Sequence, residues 1–136
     1  CGKLMLDFCG NNVNIEKGAQ FCEHISLGDN SGLGFNCQIE NHVTIGKYVM
    51  MGPGCRIFTQ NHAFERIDIP MQQQGFSKPK PVIIGDDVWL GSDVIILPGV
   101  SIGQGSIIGA GSVVTKSVEE YSVVGGNPAR VIKKRK

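Results

Sequence analysis

Three histidines stand in this chain, at positions 24, 42 and 62, and the surroundings of His62 are those that chemistry needs. It closes Thr59-Gln60-Asn61-His62, at the mouth of a segment, 59–81, that carries Gln72-Gln73-Gln74, Gly75 and prolines at 70, 79 and 81. An imidazole titrates close to neutrality, so it can take the proton of an attacking hydroxyl as a general base. A lone histidine is more often structural or merely exposed, so the case for His62 rests on its setting. His24 and His42 are 18 positions apart, which raises metal binding as a second chemistry. Basic side chains crowd the end in Lys133-Lys134-Arg135-Lys136. Cations of this kind suit phosphate. For the last two a solvated tail is the simpler expectation.

Composition bounds what such groups can serve. A chain of 136 residues reads as a single domain spanning 1–136. With 41% hydrophobic and 18% charged residues, a packed core is feasible and wholesale disorder is not expected. Thirteen basic against 12 acidic side chains leave a net charge of +1, which argues against a nucleic-acid partner. No apolar run approaches the ~18 residues of a membrane span. No secretory leader opens the chain, and a start at Cys1 reads as a trimmed or processed end. Glycine is the outlier, at 19 of 136 residues, about twice ordinary usage.

Those glycines keep time. Stepping by six gives Cys9, Ile15, Phe21, Leu27, Leu33, Ile39, Ile45, Met51 and Ile57, then a second series, Ile84, Leu90, Ile96, Ile102, Ile108 and Val114. Glycine follows nine of these 15 anchors, where chance would place about two. Four positions after each anchor the residue is mostly small or β-branched, as at Val13, Cys37, Val43, Val88 and Ser106. A period of six does not fit the 3.6-residue helix. It fits a short strand with its anchor inward, then a corner. Glycine belongs at the corner either because a side chain would crowd the bend or because φ is positive there.

Three hexads close a triangular coil of 18 residues, stacked on the next at the ~4.8 Å strand spacing. The first block, 9–62, makes three coils and the second, 84–119, makes two; this is the nearest-neighbour logic of a solenoid. The fold class expected is all-β, a parallel β-helix of about five coils. A long loop, 63–81, projects between the third and fourth coils, and 120–136 form a short cap. A loop longer than ~12–15 residues is usually functional or disordered. Of five cysteines, Cys9, Cys37 and Cys55 fall on inward positions. With Cys1 and Cys22 the count is odd, which points to small buried hydrophobes in a reducing cytoplasm rather than a disulfide framework.

The repeated [Leu/Ile]-Gly-x-x-[small]-x resembles the hexapeptide-repeat acyltransferases, and the resemblance supplies the left hand of the helix. Several stretches are similar to the maltose, galactoside and xenobiotic O-acetyltransferase group. They are 51–62, then Val82-Ile83-Ile84-Gly85-Asp86-Asp87-Val88-Trp89-Leu90-Gly91, Ile96-Leu97-Pro98-Gly99, Ile108-Gly109-Ala110-Gly111 and Gly125-Gly126-Asn127-Pro128-Ala129-Arg130. The shorter pattern looks most like acetyltransferases of capsule and surface-polysaccharide gene clusters. The resemblance implies His62 as general base and the backbone N–H of Ser92 as donor to the oxyanion. It places Ser92, Ala110, Thr115 and Lys116 along acetyl-CoA, Arg130 and Lys133 at its phosphates, and Glu40 and Trp89 at the acceptor. It also implies homotrimers with active sites between subunits and no metal. Gly32 stands where the galactoside branch has an asparagine, which leaves the acceptor sugar open.

The function these readings favour is acetyl transfer to a hydroxyl of a small acceptor, a sugar or polysaccharide precursor. N-acetylation of an amino or nucleotide sugar would use the same base. A streptogramin acceptor and a non-catalytic β-helix scaffold are the further alternatives. A gamma-class carbonic anhydrase shares the fold, but that class pairs two histidines five apart, and none are so spaced here. Zinc would also need three convergent ligands.

Overall fold

The computed structural model describes residues 6–135; Cys1, with its trimmed-end reading, and the closing Lys136 lie outside them. Short parallel strands wind around three faces. Face 1 holds β1 (Phe8–Cys9), β4 (Ile25–Leu27), β7 (Val43–Ile45), β10 (Val82–Ile84) and β13 (Ser101–Ile102). Face 2 holds β2 (Asn14–Ile15), β5 (Gly32–Leu33), β8 (Met50–Met51), β11 (Trp89–Leu90), β14 (Ile107–Ile108) and β16 (Ser122–Gly126). Face 3 holds β3 (Gln20–Phe21), β6 (Gln38–Ile39), β9 (Arg56–Ile57), β12 (Ile95–Ile96) and β15 (Val113–Val114). Five complete coils of a left-handed parallel β-helix result, with β16 opening a sixth.

The anchors build the core. Leu27, Leu33, Ile57, Leu90, Ile96 and Ile108 are wholly buried, each stacked on the anchor of the coil above or below. Such burial contributes about 1.5–3 kcal/mol per side chain. Corner positions fill the rest with Cys37, Val49, Cys55, Val88 and Val94. Where the corner residue is serine, its hydroxyl is bonded: Ser31 Oγ donates to Gly46 O at 2.6 Å and accepts from Val49 N at 2.9 Å. The core therefore admits polar corners without leaving a buried group unpaired.

Of the two reasons for glycine after an anchor, crowding is the one that operates at eight of the nine, Gly109 being the exception. A Cβ on Gly28 would lie 2.5 Å from the Gly46 carbonyl of the next coil, and one on Gly91 would lie 2.6 Å from Ala110 N. Positive φ falls two residues later, on Asn12, Asn30, Asn36, Asp87, Asp93 and several glycines, and even on His42 (φ 68°) and Tyr48 (φ 57°). Asparagine and aspartate tolerate that conformation through short polar side chains.

The long loop does not disturb register. Val82 pairs with Val43, 39 positions back, whereas Val43 pairs with Ile25, 18 back, so 21 residues are inserted at one corner and Ile84 still lies on Ile45. The loop also has structure of its own. Its stem is an antiparallel ribbon: Lys80 N donates to Thr59 O (2.7 Å), Ser77 N to Asn61 O (2.9 Å) and Ala63 N to Gly75 O (2.9 Å). A 3-10 turn, Met71–Gln73, lies beyond it.

At the far end β17 (Ala129–Lys134) folds back antiparallel on β16 and covers that strand's open edge. Arg135 corrects the expectation of a solvated tail. Its Nη1 donates to Gly105 O at 2.7 Å and lies 3.4 Å from Asp87 Oδ2, because the hairpin returns the chain across the corners. No helix among the described residues is long and apolar enough to cross a membrane.

Candidate active site

His62 sits on the outgoing strand of the stem. Its backbone forms an isolated bridge with Phe76, and the two rings stack with centroids 4.6 Å apart at 27°. Side chains of both residues are otherwise exposed. The ribbon thus fixes the imidazole plane from one side and leaves the other open. The contact of Phe76 with His62 depends on strand pairing within the loop, which spacing does not disclose.

Below the stem stands Glu40, immediately after β6. Its Oε2 accepts from Thr59 N (2.7 Å) and Gln60 N (3.2 Å), while Thr59 Oγ1 donates to Asn41 O at 2.7 Å. A groove of about 400 Å³ runs past Glu40, Asn41, His42, Thr59 and Gln60.

Ser92 follows Gly91 at the corner between faces 2 and 3. Its N–H donates to no acceptor among the described residues. At two other corners the matching N–H is taken by an aspartate one coil up: Asn11 N by Asp29 Oδ1 (2.7 Å) and Lys47 N by Asp86 Oδ1 (2.8 Å). Above Ser92 stands Ala110, which offers no acceptor. An N–H with no acceptor above it is a ready donor for developing negative charge.

Lys116 and Arg130 meet along a groove of about 530 Å³ floored by Val118, Val124 and Ala129. An apolar floor with cations at its rim suits an elongated anionic ligand. Lys133 is exposed on β17, and Thr115 is exposed beside Lys116. Lys134 instead holds Glu119, with Nζ 2.9 Å from Oε2, and that bond keeps the Glu119 carboxyl below its usual range. Trp89 projects from face 2 between Met50 and Ile107, and is half exposed.

These groups form two rows. Ser92 and Ala110 line the corner where the chain enters face 3; Glu40, His62, Thr115 and Lys116 lie beyond the corner where it leaves. A face of about five or six residues separates the rows by roughly 15–20 Å. One chain therefore does not bring His62 to Ser92.

The zinc alternative finds no ligand set. His24 and His42 stack with centroids 6.3 Å apart at 10°, and His24 Nδ1 lies 3.2 Å from Asp7 Oδ1, all exposed. Among the described residues no three metal-ligating side chains converge.

Comparison with known proteins follows the same line. A family profile described as bacterial transferase hexapeptide (six repeats) matches residues 81–116. A Saccharomyces cerevisiae protein named "Putative acetyltransferase YJL218W" is 40% identical over 135 residues, covering 96% of this chain and 67% of that protein. A maltose O-acetyltransferase from Clostridium difficile 630 superposes with a TM-score of 0.85 at 37% identity, covering 98% of this chain and 72% of the other. A galactoside acetyltransferase in complex with coenzyme A superposes with a TM-score of 0.90 at 36% identity, covering 98% and 68%. Other curated relatives are longer, and this chain spans 40% to 58% of two of them.

Proposed function

Since the chain belongs to the hexapeptide-repeat, acetyl-CoA-dependent acetyltransferase family, we propose that it transfers an acetyl group to a hydroxyl of a small sugar or polysaccharide precursor. The observation that carries this reading is His62, held on a paired stem with one ring face against Phe76 and its side chain otherwise exposed.

The steps balance. The imidazole of His62 takes the acceptor hydroxyl proton as the oxygen attacks the thioester carbonyl. A C–O bond forms, and the charge that collects on the carbonyl oxygen is held by the Ser92 N–H of a neighbouring copy. The C–S bond then breaks, and the imidazolium returns its proton to the leaving thiolate. No cysteine nucleophile enters. The Lys116–Arg130 groove would hold the phosphate-bearing arm of acetyl-CoA, with Ala110, Thr115 and Lys133 along its path. Glu40 and Trp89 would stand near the acceptor.

Assembly follows from the split rows. We place the site between copies of a homotrimer, in a cytoplasm where the free thiols stay reduced. The test is thiol release from acetyl-CoA with maltose, a galactoside, an amino sugar and a streptogramin. Wild type turns over with a hydroxyl acceptor, and His62→Ala loses at least 100-fold. A His62→Ala protein as active as wild type would end this reading, and turnover confined to the amino sugar would make it N-acetylation.

A further inference from the structure

We propose that Glu40 is a positioning residue for His62: its carboxylate clamps the base of the stem that carries the imidazole. The inference rests on His62 being the base of the proposed transfer and assigns Glu40 a part in it beyond an acceptor contact.

In the regular stack, backbone donors after each anchor bond to the next coil, as Gly28 N does to Ile45 O (2.9 Å) and Gly46 N to Ile84 O (2.8 Å). At the end of the third coil this continues only as far as Phe58 N, which reaches Ile96 O at 2.9 Å. The chain then departs, and the next coil begins at Val82, whose N–H takes His42 O (3.1 Å). Among the described residues Thr59 N has no backbone acceptor, and Gln60 N lacks the bond to the coil below that Tyr48 N makes to Asp29 O (2.9 Å) and Gly54 N to Phe35 O (2.8 Å). The Glu40 carboxylate, one coil below, accepts both through a single oxygen, at 2.7 and 3.2 Å.

Four other residues occupy the same place after a face 3 anchor: Cys22, Phe58, Leu97 and Thr115. None is acidic, and none lies beneath a departing stem. Thr59 is buried to 2% exposure, so the clamp acts on a fixed point of the core. From there the ribbon runs rigidly outward: Lys80 N to Thr59 O, Gln60 Nε2 to Ser77 O (2.8 Å), Ser77 N to Asn61 O, then the His62–Phe76 bridge. Rotation of the stem at Thr59–Gln60 is carried to the ring three residues on. Misplacing a catalytic group by about 1 Å can cost 100-fold in rate.

The test compares Glu40→Ala, Glu40→Gln, His62→Ala and wild type as intact oligomers. Hydrogen exchange of the peptide covering 58–63 is read by mass spectrometry, and kcat and acceptor KM are read with the hydroxyl acceptor that wild type uses. In Glu40→Ala we expect exchange of the stem to rise at least tenfold and kcat to fall 10- to 100-fold, with acceptor KM within twofold. Glu40→Gln, which keeps an oxygen to accept both N–H groups, restores slow exchange and most of kcat. Unchanged exchange in Glu40→Ala overturns the proposal, whatever the kinetics. So does a raised KM with kcat intact, which would make Glu40 an acceptor ligand. Fast exchange in Glu40→Ala, with His62→Ala fully active, would leave the clamp standing and remove the catalytic reading instead.

Discussion

At the scale of single residues, burial keeps two of the thiols from reacting. Cys37 lies wholly buried on Cys55, and burial, with the neighbouring Cys55 second, pushes its thiol from the usual 9.0 up to about 11. Burial raises the Cys55 thiol as well. Both are inert near neutrality, in contrast to the exposed Cys22. Below pH 9 both the folded and the unfolded chain keep the Cys37 proton, so its contribution to stability is intact there. Between pH 9 and about 11 the unfolded thiol ionises first, and stability is lost as pH rises. Urea midpoints should therefore drop from pH 8.5 to pH 10.5 in wild type and drop less in Cys37→Ala. Alkylation of the native protein near neutral pH should mark Cys22 and spare Cys37.

At the scale of the element, the unit is a hexad: anchor, crowded glycine, left-handed corner, small inward residue. The two special positions should answer differently to substitution. Gly28→Ala forces a methyl group into the Gly46 carbonyl and should cost at least ~2 kcal/mol. Gly111 has φ +72° and open space around its Cβ position, and asparagine holds the matching corner at Asn12, Asn30 and Asn36. Gly111→Asn should stay within ~0.5 kcal/mol of wild type in chemical denaturation.

Most of the stack was legible because a six-residue period leaves few ways to bury Leu27, Ile45, Ile84 and Ile102 at once. The loop's position was legible too, since the beat stops at Ile57. Its ribbon was not, because the pairing of His62 with Phe76 is decided across 14 positions of irregular chain. Glu40 could be read as acidic but not as a clamp, because its partners Thr59 and Gln60 come from the next coil. The only trace in the sequence is that one acid interrupts the row Cys22, Phe58, Leu97 and Thr115.

At the scale of the whole molecule, the face that carries β8, β11 and β14 leaves apolar side chains in contact with solvent. Met50 and Trp89 are 59% and 50% exposed and adjacent, with Ile107 beside them. Monomers rarely leave such apolar neighbours to solvent. The homotrimer proposed above unites Ser92 of one copy with His62 of another. Complementation between two disabled chains tests this most directly. Ser92→Pro deletes the open N–H at a corner whose equivalent one coil below is already Pro53, so the backbone should accept it. His62→Ala deletes the proposed base. Each alone should release thiol from acetyl-CoA at under 1% of the wild-type rate, and co-assembly of the two should restore a substantial fraction of it, through sites that take His62 from one copy and Ser92 from the next. Mixed assemblies as inactive as their parents, or a monomer with full activity, would contradict the account.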